Sequence, residues 1–157
     1  MSDLDDFLAE MLPRRLAEVE ALHNGDPGPE LAMWSTQNPV TLYGAAGINK
    51  SGWDEVNRTF HWLASRFSNC TTQSFELVAA GISGDLAYTV GFEHTAHSIA
   101  GDPVEPYTLR VTHIYRREHG KWKMVHRHGD HPPTEVWLEE RLGEAPDQSP
   151  PAEAATE

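Results

Sequence analysis

Residues Val104–His131 read VEPYTLRVTHIYRREHGKWKMVHRHGDH. Apolar and polar side chains alternate along both halves and Gly120 sits where the halves meet, so the segment predicts two long antiparallel strands on one tight turn. His113, His126, His128 and His131 fall within it. Histidine titrates nearest neutral pH and ligates metals, which makes this hairpin the first place to look for a site. Which side chains share a face depends on the turn. A two-residue His119-Gly120 loop pairs Tyr115 with Met124 and His113 with His126, and groups them with Val111, Trp122 and His128. A three-residue Glu118-His119-Gly120 loop with a bulge instead groups His113, Tyr115, Val125 and Arg127. Arg110, Thr112, Ile114, Met124, His126 and His128 then share the opposite face. In both registers His113 and Tyr115 stay together, because residues two apart on a strand must.

Working back from the hairpin, the chain from Ser74 predicts four consecutive strands broken at Gly81–Asp85, Ala100–Pro103 and Glu118–Gly120. Connections this short favour an antiparallel meander. Helices precede it. Ser2 and Asp5 form a capping-box signature, followed by Leu4, Phe7, Leu8, Met11 and Leu12 at helical spacing. Pro13 predicts a kink, or a second segment Pro13 to His23 that buries Leu16, Val19 and Leu22 and stops at Asn24-Gly25. A short helix follows Asp26-Pro27 through Leu31 to Trp34. Asn38–Gly44 reads as a first strand and residues 45–50 as a loop. Ser51 and Asp54 repeat the capping box ahead of Trp53, Val56, Phe60, Leu63 and Phe67, the clearest helix in the chain. Helices gathered ahead of a meander make an α+β domain, expected over residues 1–143. Residues 144–157, EAPDQSPPAEAATE, offer nothing large and apolar to bury and predict a disordered acidic tail.

Composition narrows the function classes. A formal net charge of -12 repels phosphate backbones and anionic lipid, so nucleic acid and membrane surfaces are poor partners. No apolar run approaches the roughly 20 residues of a membrane helix. The acidic N-terminus does not resemble a signal peptide, and the lone Cys70 cannot form an internal disulfide, which points to a reducing cytoplasm.

Three helices ahead of a curved meander, with the strand-turn-strand THIYRREHGKWKMVHRHGD, resemble the nuclear transport factor 2-like superfamily, in particular its SnoaL-like and ketosteroid-isomerase-like branch. The Gly120-Lys121-Trp122 turn and His126-x-His128 are also similar to the association domain of calcium/calmodulin-dependent kinase II, another member. The resemblance spans roughly Leu8 to His131 and implies a cone-shaped α+β barrel with a pocket at its wide end, homodimerisation through the outer sheet face, and no cofactor. It implies a small-molecule-binding protein, with isomerase, lyase or cyclase chemistry on a polyketide-like or steroid-like anionic ligand as the enzymatic form. The alternative is a non-catalytic dimeric binding or association domain. The positions matching the oxyanion tyrosine, base aspartate and second acid of ketosteroid isomerase carry Glu18, Thr41 and Thr112. That leaves the isomerase roles unfilled, since a threonine hydroxyl is too weak a base.

The candidate residues follow. His113, Tyr115 and Arg110 are the candidate catalytic groups. Trp34, Tyr43, Trp53, Phe60, Val90 and Phe92 are candidate ligand-binding residues, because in this fold the core lines the pocket, and Arg127 is the candidate charge for an anionic ligand. Glu93 and Arg110, on neighbouring strands, are read as an ion pair. His126, His128 and Asp130 lack the spacing of a zinc motif, so no metal is assigned and a dimer-face role is preferred for these histidines.

Overall fold

The computed structural model describes residues 2–132 and 141–143. The tail expected over residues 144–157 lies outside the described residues. Helix α1 (Asp3–His23) opens on the Ser2/Asp5 capping box and runs unbroken through Pro13. A proline in a helix interior forfeits one backbone bond, but the helix buries a stripe on both sides of it, from Phe7 and Met11 to Val19 and Leu22. That packing holds the two halves in line. Leu16, expected in the stripe, is exposed, and Arg15 and Glu18 are buried in its place.

Helix α2 (Gly28–Met33) and strand β1 (Thr41–Gly44) follow. The expected loop at 45–50 contains a 3-10 turn and a short strand, β2 (Ile48–Ser51), which pairs antiparallel with β1. Helix α3 (Trp53–Ala64) does not use the Ser51/Asp54 capping box. Gly52, at φ 94°, is its N-cap without a side-chain bond. Asn38 supplies the missing acceptor from a distance, its Oδ1 taking the Trp53 N–H at 2.9 Å. Phe67, read as the end of this helix, instead starts the sheet.

The remaining strands are β3 (Phe67–Ser83), β4 (Leu86–Ile99), β5 (Glu105–Glu118) and β6 (Lys121–Asp130). They form a meander, and the sheet order is β2-β1-β6-β5-β4-β3 with β1 parallel to β6 and every other pair antiparallel. The curved sheet packs its concave face on the helices around Phe7, Met11, Trp34, Tyr115 and Met124. No helix of the described residues is long and apolar enough to cross a membrane.

The central hairpin combines both sequence readings. His119 and Gly120 take φ of 51° and 77° and Glu118 faces Lys121, so the turn has two residues. Tyr115 accordingly faces Met124. One step further the register slips, with Ile114 opposite His126 and His113 opposite Arg127, so that Val125 is the extra residue of a bulge. The bulge turns Arg127 inward beside His113 and sends His126 and His128 outward.

Candidate functional site

The inward residues of β4, β5 and β6 meet α1 in a buried polar cluster. Glu93 accepts from both terminal nitrogens of Arg127, Nη1 to Oε1 and Nη2 to Oε2, each at 2.8 Å. Arg15 Nη2 donates to the same Oε1 at 3.0 Å, and Arg15 Nη1 to Thr89 Oγ1 at 3.1 Å. The Arg15 guanidinium lies 3.5 Å over the Phe75 ring. A Cβ at position 91 would stand 2.1 Å from the Glu76 carbonyl oxygen and 2.6 Å from Phe75, so Gly91 is what lets β3 bring that ring in. Burial alone would raise the Glu93 carboxyl; the charge and hydrogen bonds of Arg127, then those of Arg15, outweigh it and hold it at about 2. Arg127 is driven up in turn, because the Glu93 charge overcomes its desolvation.

His113 is wedged behind the pair. Its Nε2 is 2.8 Å from Arg127 Nη1, and its Nδ1 is 2.7 Å from the Tyr115 hydroxyl and 3.1 Å from Arg15 Nη1. Guanidinium nitrogens only donate. The Arg127 contact is the closer of the two arginine contacts, which assigns Nε2 as the acceptor from Arg127 and leaves Nδ1 to carry the hydrogen and donate to Tyr115, while Arg15 Nη1 donates to Thr89. Burial and then the two arginines depress the His113 pKa well below the imidazole range, so the ring is neutral. Burial likewise lifts the Tyr115 phenol. These two groups brace Arg127.

Between this cluster and the helices lies a cavity of about 460 Å³, lined mainly by apolar side chains such as Val19, Leu22, Leu42, Phe60, Phe67 and Leu109. Arg127, Glu93, Glu30, His23 and Tyr107 are the polar groups of its inner wall, and the exposed Trp62, Arg66, Ile99 and His131 stand at its edge. Glu30 accepts from Trp34 Nε1 at 3.0 Å, and burial raises its carboxyl pKa. Burial raises that of Glu18 further still. Both shifts reduce the negative charge these carboxyls add beside two arginines. His23 stacks on His97, with ring centroids 3.9 Å apart and planes 9° from parallel, and meets Phe67 edge-on.

The candidate residues divide by face. Arg127 and Phe60 line the cavity. His113 and Tyr115 are fully buried behind Arg127 and do not reach it. Trp34 sits beneath Glu30, and Trp53 packs against the core at the start of α3. Tyr43, Val90, Phe92 and Arg110 stand on the outer sheet face, because each falls on the outward parity of its strand. Tyr43 lies edge-on to His126 and His128, while Val90, Phe92 and Arg110 border a shallow outer depression. Arg110 pairs there with Asp130 at 3.0 Å, not with Glu93. Thr41 and Thr112 are outward as well, Thr41 bonding His126 and Thr112 lining the same depression. No cluster of three or more potential metal ligands occurs among the described residues. Arg15, His23 and Glu30 were not singled out as site residues in the sequence, and Glu18 entered only as a position where the isomerase tyrosine is missing. For those on α1 the one signal was position: Arg15, Glu18, Val19, Leu22 and His23 fall on the buried stripe of the helix at 3- and 4-residue steps.

The chain matches the family model for the SnoaL-like domain over residues 17–133. It belongs to that family. A nuclear transport factor 2-like superfamily protein from Salmonella enterica serovar Typhimurium superposes with a TM-score of 0.71 at 16% identity, covering 85% of this chain and 96% of that one. A protein of the same superfamily from Streptomyces avermitilis, provisionally described as a dehydratase, gives 0.67 at 21% identity, with coverage of 82% and 98%. An uncharacterised Caulobacter vibrioides protein with a cystatin-like fold gives 0.66 at 14% identity, covering 90% and 98%. At these identities the likeness is one of fold. The comparison with curated proteins finds no match. A SnoaL-like fold supports a small-molecule-binding or isomerase-type domain, and which of these it is falls to the side chains of the cavity.

Proposed function

We propose that this SnoaL-like chain binds a small, largely apolar, polyketide-like or steroid-like molecule in the cone, with an anionic or enolate oxygen directed at Arg127, and acts on it without a cofactor as an isomerase, lyase or cyclase. The observation that carries the reading is the open cavity of about 460 Å³ with Arg127 on its wall. Sites for small molecules are concave, mainly apolar and equipped with a few convergent polar groups, and this cavity has each of those features. The shifted Glu30, Glu93 and His23 carboxyl and imidazole groups add the perturbed titrations that accompany such sites. His113 and Tyr115 hold Arg127 in place on this reading, and Arg110 has no part in it.

A thermal-shift screen of apolar carboxylic acids and ketones tests the proposal. A ligand at a hundredfold excess over its Kd stabilises by about 2.7 kcal/mol. The Leu63→Trp variant, which fills the cavity from α3, should melt near the wild type and lose that stabilisation. A hit that stabilises both proteins equally binds elsewhere. We further infer a homodimer through the outer sheet face, where Tyr43, Val78, Tyr88 and Ile114 are exposed, and a reducing cytoplasmic setting in which Cys70 is a free thiol.

A further inference from the structure

Helix α1 delivers Arg15 to the buried cluster and ends on His23, a residue that this cluster does not use. Its ring lines the cavity and is only 7% exposed. Its Nδ1 is sealed off without a hydrogen-bond partner among the described residues, so the edge of the ring that can meet a ligand in the cavity is that of Nε2. Packing does not explain an imidazole here. The stack on His97 and the edge contact with Phe67 would suit a phenyl ring equally well, and a phenyl ring would leave no desolvated nitrogen unpaired. The ring is also held in place, since His97 is fixed by the Tyr107 hydroxyl through Nε2 and by the Ser98 carbonyl through Nδ1.

We propose that His23 is a ligand-binding residue, and that the ligand is an apolar carboxylic acid carrying a second, neutral hydroxyl or carbonyl group, with the carboxylate at Arg127 and the neutral group at His23. The proposal rests on the function proposed above and specifies its ligand. Burial, and then His97, hold the His23 pKa at about 3, so the ring offers one donor and one acceptor and no charge. A second anion would meet an uncharged ring with the Glu93 charge close by. At Nε2 a hydroxyl can donate when that nitrogen is bare or accept when it carries the hydrogen, and a carbonyl can accept in the second case. Arg127 is the cationic group of the same inner wall.

The test uses 2-naphthoate and its 5-, 6- and 7-hydroxy derivatives as probes, titrated calorimetrically into the full chain and its His23→Phe variant. At least one hydroxynaphthoate should bind wild type about three- to tenfold more tightly than 2-naphthoate, the gain of one hydrogen bond. His23→Phe should bind 2-naphthoate as the wild type does and show no such gain. Should the variant fold poorly, nitrogen NMR of the wild type decides instead: the His23 ring resonances should move with the hydroxy acid and stay put with its parent. A gain that survives in His23→Phe, unmoved His23 resonances, or no gain from any hydroxyl position overturns the proposal while leaving the anionic-ligand reading intact. If none of the four acids binds, both fall together.

Discussion

Glu93 holds two arginines at once, which makes it the most consequential carboxylate in the molecule. Its partners are buried with it, the side chains of Arg15 and Glu93 being 2% and 4% exposed. Removing one member of such a set leaves charge without a partner where water cannot reach, at a cost of about 3–5 kcal/mol. Glu93→Gln should therefore lower the urea midpoint steeply. Arg110→Ala should move stability by no more than about 0.5 kcal/mol, because its pair with Asp130 is solvated. Comparable losses in the two variants would contradict the assignment of partners. The sequence allowed Glu93 and Arg110 to be joined because their strands are neighbours. In the sheet Glu93 faces Leu109, and Arg110 faces Phe92 across the other surface. One residue of register separates an interior charge from an exterior one.

The central hairpin and α3 show how local signals settle some ends and miss others. His119-Gly120 is legible as a turn because both residues need positive φ, which glycine accepts freely. The bulge at Val125 leaves no comparable mark, yet it decides that Arg127 faces the cavity. At the start of α3 two acceptors compete on paper: Ser51, close in sequence, and Asn38, which meets the Trp53 N–H across the fold. Asn38→Ala should cost about 1 kcal/mol of stability, the ordinary worth of an N-terminal cap, and Ser51→Ala less than about 0.5 kcal/mol. Denaturation curves that reversed this order would restore the capping box.

Acid should unfold the protein by a route its buried groups define. In the unfolded chain a histidine takes up a proton near its ordinary 6.5, whereas native His23 resists until about 3 and His113 is held well below 6.5. Protonation thus favours the unfolded state as pH falls through that window. Glu93 has the same sign, contributing stability above 4.5 that is lost as pH falls toward about 2. Glu18 and Glu30, with raised values, act oppositely, but only above 4.5, where the unfolded chain has released their protons. Between pH 4.5 and 3 these opposing groups are silent, so the melting temperature should drop sharply there. A melting temperature flat across that interval would mean these sites are not desolvated as described. The proposed dimer is tested by sedimentation at micromolar concentration. Wild type should run as a dimer and Ile114→Asp, on the outer face, as a monomer. A monomeric wild type would remove the outer face as an interface.

The alternation of the meander, the glycines at its turns and the apolar spacing of α3 were enough to determine helices ahead of an antiparallel meander, an α+β domain, because these patterns act over a few residues and need only local geometry. The cone was what the family resemblance implied. The match to the SnoaL-like family model over residues 17–133 bears out the resemblance. The site needed more. Arg15 and His23 come from α1, Glu30 from α2, Glu93 from β4 and Arg127 from β6, and beyond the shared stripe of α1 no spacing along the chain links them. Their meeting depends on which surface of each strand turns inward. That was decided by the bulge at Val125 and by the curvature that wraps the sheet around the helices, and both arise only when the strands pair.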